Sequence, residues 1–517
     1  MANLVKLNRK KNSVRNVIYG TIFRIVSIVG PFVVRTAMIY IMGNEYNGLS
    51  SLFTSILQFL SLVELGAGSA LVFSMYKPIA ENDTATINAL YALYKKLYRI
   101  IGSIIFGIGL LLVPALPFLV KKDLPPDVNL YVIYFVYLLN TVLSYWLFGY
   151  KQSLLNAFQR SDIVSKRTTA INILMYVVQI LSLFLFHNYY CYIIWLPICT
   201  VLTNVVNKIV VDKMFPQYKC EGTVSKELSD SIKKKIVALF GTKANSIVLH
   251  ATDNVVISAF FGVGLVGQYG NYYYIMNSVC MFVKIIYSSI TAGIGNSLQT
   301  ESVEKNYRDF MFLSFVNMWI ITFCSTSLLC IYQPFMEIWV KEKLMLEMGI
   351  VSLIVVYFFV YMIRRVVLTY KDAAGIWWED KFRPYVVMAV NLILNIGLCS
   401  VIGLYGILLS TIVSMFVAIP WENYTVFKYI FKISSKEYYL KMALYVVVAI
   451  LIAGATYTIC NYVPFINIPK GIIGVVIRGI ICVIVPNAIW ALIFIKTREF
   501  GRLKKLVFNR KKKTADK

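Results

Sequence analysis

Residues 17–43, VIYGTIFRIVSIVGPFVVRTAMIYIMG, decide the fold. A helix over this stretch, at 1.5 Å per residue, is long enough to cross a hydrocarbon core of ~30 Å. It carries Arg24 and Arg35, runs past Tyr40 and lacks a small-residue cleavage pattern. It therefore reads as a span that stays, and not as a signal peptide. Similar stretches recur to the far end of the chain. The expected spans are 16–42, 49–76, 97–120, 129–150, 168–187, 190–209, 236–261, 266–297, 309–332, 348–365, 384–403, 406–429, 440–460 and 471–495. Composition agrees: 59% of the 517 residues are hydrophobic and only 15% are charged, far from ordinary soluble usage. The fold class is an all-α integral membrane protein of about fourteen transmembrane helices.

The charges orient those helices. The net charge is +26, but the basic residues flank the apolar spans and build no soluble basic domain, so nucleic acid is excluded as a partner. Of the 51 lysines and arginines, 41 fall in segments on one side of the membrane. Only Lys121, Lys122, Lys341, Lys343 and Lys470 fall on the other, and Arg24, Arg35, Lys243, Lys284 and Arg478 lie deeper within spans. This positive-inside asymmetry places both termini in the cytoplasm, with the basic tail resting on anionic lipid. The nine cysteines contain no C-x-x-C and read as small apolar packing residues. The longest loops, near 210–235 and 333–347, are too short to fold into a catalytic domain. The chain is thus expected not to be an enzyme and to need no cofactor.

A repeat is visible. Aligning Gly43 with Gly262 also aligns Gly48 with Gly267, Arg24 with Lys243 and Arg15 with Lys234. A duplicated six-helix unit explains these matches, and an even number of spans per unit makes the halves parallel. The expected organisation is an N-terminal six-helix lobe over 1–209, a cytoplasmic linker over 210–235 and a second lobe over 236–430. Two additional helices over 436–496 and a basic tail over 497–517 complete it. Gly262 to Gly267 also fits G-x-G-x-x-G, but it lies at a turn between two spans with no βαβ context, so it is no dinucleotide site.

Ionisable residues inside a span are expensive and so mark candidate sites. In the first span Arg24 and Arg35 share one face ~16 Å apart along the axis, with Gly20, Ser27 and Pro31 beside them. The alternative for each arginine is to snorkel to a headgroup or to pair with an acid. The seventh span repeats the pattern with Lys243, Ser246, His250, Asp253 and Asn254. His250 beside a lysine and an aspartate suits protonation chemistry. Asp253 either neutralises a neighbour such as Arg35 or couples transport to an ion. The second span offers Ser51, Thr54, Gln58, Ser61 and Glu64, and the eighth offers Tyr269, Tyr272, Tyr273, Tyr274 and Lys284. Such tyrosines suit either an interfacial belt or the apolar faces and hydroxyls of sugar rings. Arg364 and Arg365 mark a cytoplasmic span end or meet a phosphate headgroup. A polar cavity lined mostly by positive charge is expected, and its ligand should be anionic, with phosphate or pyrophosphate the natural candidate.

Gly43-Asn44-Glu45-Tyr46-Asn47-Gly48-Leu49, then Val63-Glu64-Leu65-Gly66-Ala67-Gly68 and Tyr76-Lys77-Pro78, resembles the opening helices of bacterial Wzx-type polysaccharide flippases. Tyr150-Lys151-Gln152-Ser153 with Ala157-Phe158-Gln159-Arg160 is similar to the same family after its fourth span. That family belongs to the multidrug/oligosaccharidyl-lipid/polysaccharide exporter superfamily. The resemblance implies a MATE-like V of two six-helix lobes in the bacterial cytoplasmic membrane, working by alternating access. It implies a cargo of undecaprenyl-pyrophosphate-linked oligosaccharide, with membrane lipids and the pathway's polymerase and glycosyltransferases as partners. Arg24, Arg35, Lys243, Lys284, Tyr273 and Gln58 would then contact the pyrophosphate and sugar. Glu64, Asp253 and His250 would couple transport to Na+ or H+.

Rival readings are a MATE-type multidrug exporter of the same fold, a membrane-bound glycosyltransferase or polymer ligase, and an envelope-assembly scaffold. Cationic drugs need acids in the cavity, a transferase needs a sizeable catalytic loop, and a scaffold leaves the buried charges without a role.

Overall fold

Apolar stretches of this length can satisfy their backbone groups within a membrane only as helices, and helices are what the chain forms. The structure is a computed structural model that describes residues 9–64, 66–120, 122–462 and 469–505, without the side chains of residues 9–14, 16, 17, 238, 239, 242 and 250. Among the described residues there is no β-strand. Eleven helices are long and apolar enough to cross a membrane, and thirteen when each of two bent helix pairs counts as one span. The chain is therefore a multi-pass membrane protein.

The first five spans are Ile18–Ile41, the bent pair Asn44–Glu64 and Ala67–Glu81, Thr84–Leu119, the bent pair Leu130–Trp146 and Gly149–Ala157, and Ser161–Phe186. Span 6 is Tyr189–Met214. The helix at the seventh expected position, Lys226–Phe261, has 36 residues but is not among those thirteen. The reason is composition: Lys243, Asn245, Asp253 and Asn254 fall inside the stretch that would cross. Spans 8 to 14 are Val263–Thr300, Val303–Val340, Met348–Ala374, Arg383–Ile402, Leu404–Phe431, Lys436–Tyr462 and Ile472–Phe494. Several helices run past the expected boundaries, because polar end turns such as Thr84–Lys96 continue the helix beyond the apolar stretch.

Local chemistry sets the ends. Asp83, Asn129, Asn188, Ser225 and Ser302 each cap a helix by accepting hydrogen bonds from first-turn N–H groups. Gly43 and Gly262 turn the chain between paired spans at φ of 125° and 97°, values that suit a residue without Cβ.

The chain forms two compact units, one ending at Gly270 and the other beginning at Asn271. The seventh helix and the first turns of span 8, placed with the second lobe by the repeat, lie within the first unit. The first unit is built around Leu49, Leu52, Phe53, Tyr134, Leu138 and Tyr189, all buried. In the second unit the rings of Phe315, Tyr445, Trp490 and Phe494 pack at steep angles where spans 13 and 14 meet span 9. An ion-pair network is buried among spans 10, 11 and 12 of the same unit. Arg364 donates to Glu422 through Nε at 2.8 Å, and Arg383 reaches both Glu422 at 2.9 Å and Asp380 at 2.8 Å. Lys371 completes it on Asp380. Three cations and two anions leave the network one charge positive.

Candidate functional site

The second span breaks in its middle. The turn Ser61–Glu64 is 3₁₀, Gly66 takes φ +90°, and the two halves are bent by 41°. Glu64 stands at this break. Its carboxylate accepts from Tyr98 at 2.9 Å through Oε1 and from Tyr145 at 2.7 Å through Oε2. Tyr94 in turn donates to Tyr98 at 3.1 Å. The three rings pack in succession, with centroids 4.6 Å and 5.4 Å apart. Gly68 leaves room beside them, since a Cβ there would lie 2.9 Å from the Tyr94 hydroxyl and 3.3 Å from Glu64.

A cavity of about 470 Å³ opens on this cluster. Glu64, Ser69, Tyr76, Tyr94, Tyr98, Asn156 and Lys243 supply its polar lining, and Val72 and Phe73 part of its apolar lining. Lys243 comes from the seventh helix and donates to Ser69 Oγ at 2.9 Å. One chamber within the first unit thus holds a carboxylate, an ammonium and three phenols. Such a set offers donors to an anion and hydroxyls and ring faces to a sugar.

Further along the same helices, other expected residues are held by polar partners. Arg35 donates to Ser51 Oγ at 3.1 Å. Asp253 is 1% exposed and accepts from the Tyr269 hydroxyl at 3.1 Å. Asn254 donates to Ser55 Oγ at 2.9 Å. Seventh-helix polar groups thus meet second-span polar groups at both Lys243–Ser69 and Asn254–Ser55. At the helix ends the two glycine turns of the repeat meet as well. Asn44 Nδ2 donates to the Gly264 carbonyl at 2.8 Å.

The second unit holds its own part of the expected set. Lys284 donates to the Tyr361 hydroxyl at 2.8 Å and lies 4.6 Å from that ring's centroid, a cation–π distance. Tyr361 packs on Tyr357 and Tyr357 on Tyr273, with centroids 6.1 Å and 6.4 Å apart. Lys284 and Tyr273 are thus joined through two tyrosines of span 10.

Arg24 is exposed, and among the described residues no side chain pairs with it. Gln58 is exposed and is not among the cavity-lining residues. The side chain of His250 lies outside the described residues. Arg364, given two readings on sequence, is buried against Glu422 and Arg365 starts the next helical segment. The partners of Glu64 were missed on sequence, because tyrosines inside apolar spans carry no mark of what they face.

No protein-family model matches the chain, and no curated protein matches it. Solved structures do. The lipid II flippase MurJ, in an inward closed conformation, superposes with a TM-score of 0.65 at 12% identity, over 92% of this chain and 98% of that one. An inward-facing MATE-family multidrug resistance transporter gives 0.59 at 13% identity, over 79% of this chain and 97% of that one. A transporter from Pyrococcus furiosus, described as having a binding pocket of reverse polarity, gives 0.52 at 14% identity, over 82% and 97%. The chain has the MATE-like helical fold of the MOP superfamily, to which the latter two belong. The expected fold class is found. Solved structures similar to the chain include a lipid II flippase and MATE-family transporters, and they do not show the Wzx-type family.

Proposed function

We propose that the chain is a flippase that carries a lipid-pyrophosphate-linked oligosaccharide, with an undecaprenyl lipid, from the inner to the outer leaflet of the bacterial cytoplasmic membrane. The fold it shares with MurJ over nearly its whole length supports a lipid-linked cargo. The observation that carries the reading is Lys243: an ammonium lines a chamber whose other polar groups are mostly hydroxyls. Pyrophosphate meets the cations Arg24, Arg35, Lys243 and Lys284, and the sugars meet Tyr273, Gln58 and the phenols near Glu64. The lipid tail stays in the bilayer, so only the head group needs a polar route.

Movement is driven by an Na+ or H+ gradient, with Glu64, Asp253 and His250 as coupling groups. Glu64 supplies a carboxylate in the chamber, held by two phenols, that an ion or proton can visit. The same carboxylate supports the rival reading, a MATE-type exporter of cationic small molecules, because an acid in the chamber would attract a cation.

Deleting the gene in its native bacterium separates the two. The flippase reading expects loss of a surface polysaccharide and accumulation of its lipid-linked repeat unit, both restored by the wild-type gene. Intact surface glycan with new drug sensitivity would replace this reading with the exporter.

A further inference from the structure

Cys330 comes from span 9, and Cys460 and Cys482 from the consecutive spans 13 and 14, more than a hundred residues further along the chain. Their sulfurs all lie within 4.8 Å of one another, and the three side chains are 2%, 3% and 1% exposed. Around them Ile331, Tyr457 and Ile481 form an apolar wall. Two buried thiols in contact are ordinary small-residue packing. Three sulfurs converging from three helices are an arrangement that packing does not require. Three metal–thiolate bonds of about 2.3 Å in a plane set sulfurs about 4 Å apart, within the spacing found here. Among the described residues no fourth histidine, cysteine or carboxylate joins the group.

Three sulfur donors without a fourth ligand favour a soft ion that accepts low coordination, and thiolates select Cu(I) among the common ones. Charge is the next requirement. Thiolates are the ligands, so an ion of charge +1 that displaces three thiol protons to solvent leaves the cluster at −2. A neighbouring cation must offset part of this in an apolar setting. Arg478 stands one turn before Cys482 on the same helix. Its Nε is buried and has no hydrogen-bond partner among the described residues.

We propose that Cys330, Cys460 and Cys482 form a trigonal thiolate site for a soft monovalent metal ion, Cu(I) being the probe of choice. The bound ion fastens the two additional C-terminal helices to span 9. The site is independent of the cargo and of the coupling ion.

The full-length protein, purified in detergent under reductant, is titrated against a coloured Cu(I)–chelator complex. One equivalent should be withdrawn, and X-ray absorption should place three sulfurs about 2.3 Å from the ion. Cys330→Ser, Cys460→Ser and Cys482→Ser should each weaken binding by more than about tenfold, the scale on which even outer-shell metal partners act. Cys199→Ser and Cys399→Ser, at buried cysteines elsewhere, should leave it unchanged. A three-serine variant that elutes as wild type separates lost ligands from lost folding. Wild-type protein that takes no Cu(I), or serine variants that bind as wild type, would overturn the proposal. So would a disulfide between two of the three that, once reduced, still leaves a protein binding no ion.

Discussion

Gly48 and Val263 approach so closely that no side chain fits between them: a Cβ on Gly48 would lie 1.9 Å from the Val263 carbonyl oxygen. The contact has a counterpart, for a Cβ on Gly267 would lie 2.5 Å from the Asn44 carbonyl oxygen. Gly48 and Gly267 are the residues that the sequence repeat aligns, so each copy of the turn rests on the other. The two turns thus form a backbone clasp with no room for a side chain at either glycine.

Alanine at Gly48 cannot enter this clasp without moving backbone. Gly48→Ala should open it and lower thermal stability by about 1–3 kcal/mol, the usual cost of overpacking. Val266 is fully buried beside the clasp, so Val266→Cys reports on it. Site-resolved maleimide labelling of the introduced thiol, read by mass spectrometry, should be slow alone and faster when Gly48→Ala is added. Equal labelling in both backgrounds would show that the clasp does not gate access.

Tyr145 and Tyr98 hold Glu64 as donors to its carboxylate. Tyr145→Phe should cost about 1.5–3 kcal/mol if that carboxylate is ionised, the range for hydrogen bonds to charged groups. In a Glu64→Gln background the same change should cost clearly less, and the double-mutant cycle gives the coupling directly. Transport by Glu64→Gln should also lose its dependence on the ion gradient. A gradient dependence that survives Glu64→Gln removes Glu64 from coupling.

The buried network of the second unit is expected to respond asymmetrically. Glu422→Ala strands Arg364 and Arg383 and should cost about 3–5 kcal/mol in a denaturation series. Arg364→Met with Glu422→Leu removes a pair together and should cost much less than Glu422→Ala alone. Comparable losses in both variants would mean that packing, and not stranded charge, sets the stability.

Much of this was legible because a membrane leaves few solutions. Apolar stretches of span length and the distribution of lysine and arginine are enough for the helices. Duplicated glycines betray the repeat, since positive φ at Gly43 and Gly262 and close approach at Gly48 and Gly267 each exclude a side chain. A further match went unread: Tyr150-Lys151 and Tyr370-Lys371 stand 220 residues apart, and each lysine pairs with an acid, Asp212 or Asp380. What stayed illegible is long-range pairing. Glu422 lies within the expected span 406–429, and nothing in the sequence joins it to Arg364 or Arg383. The break at Gly66 was equally hidden, because the glycines by themselves suit either close helix packing or a turn. The seventh helix gives a third case: the repeat shows where it starts, but not that its polar side chains bind Ser55 and Ser69.

Under the proposed function, cations within the spans carry an anionic lipid-linked head group. The direct measurement is translocation of a fluorescent lipid-pyrophosphate oligosaccharide in proteoliposomes, comparing wild type with Arg24→Ala, Lys243→Ala and their arginine–lysine exchanges. Each alanine variant should lose at least about tenfold in rate, the effect of about 1.4 kcal/mol, with charge-preserving exchanges retaining more. Alanine variants that translocate at the wild-type rate, or a wild type that moves only cationic drugs, would contradict it.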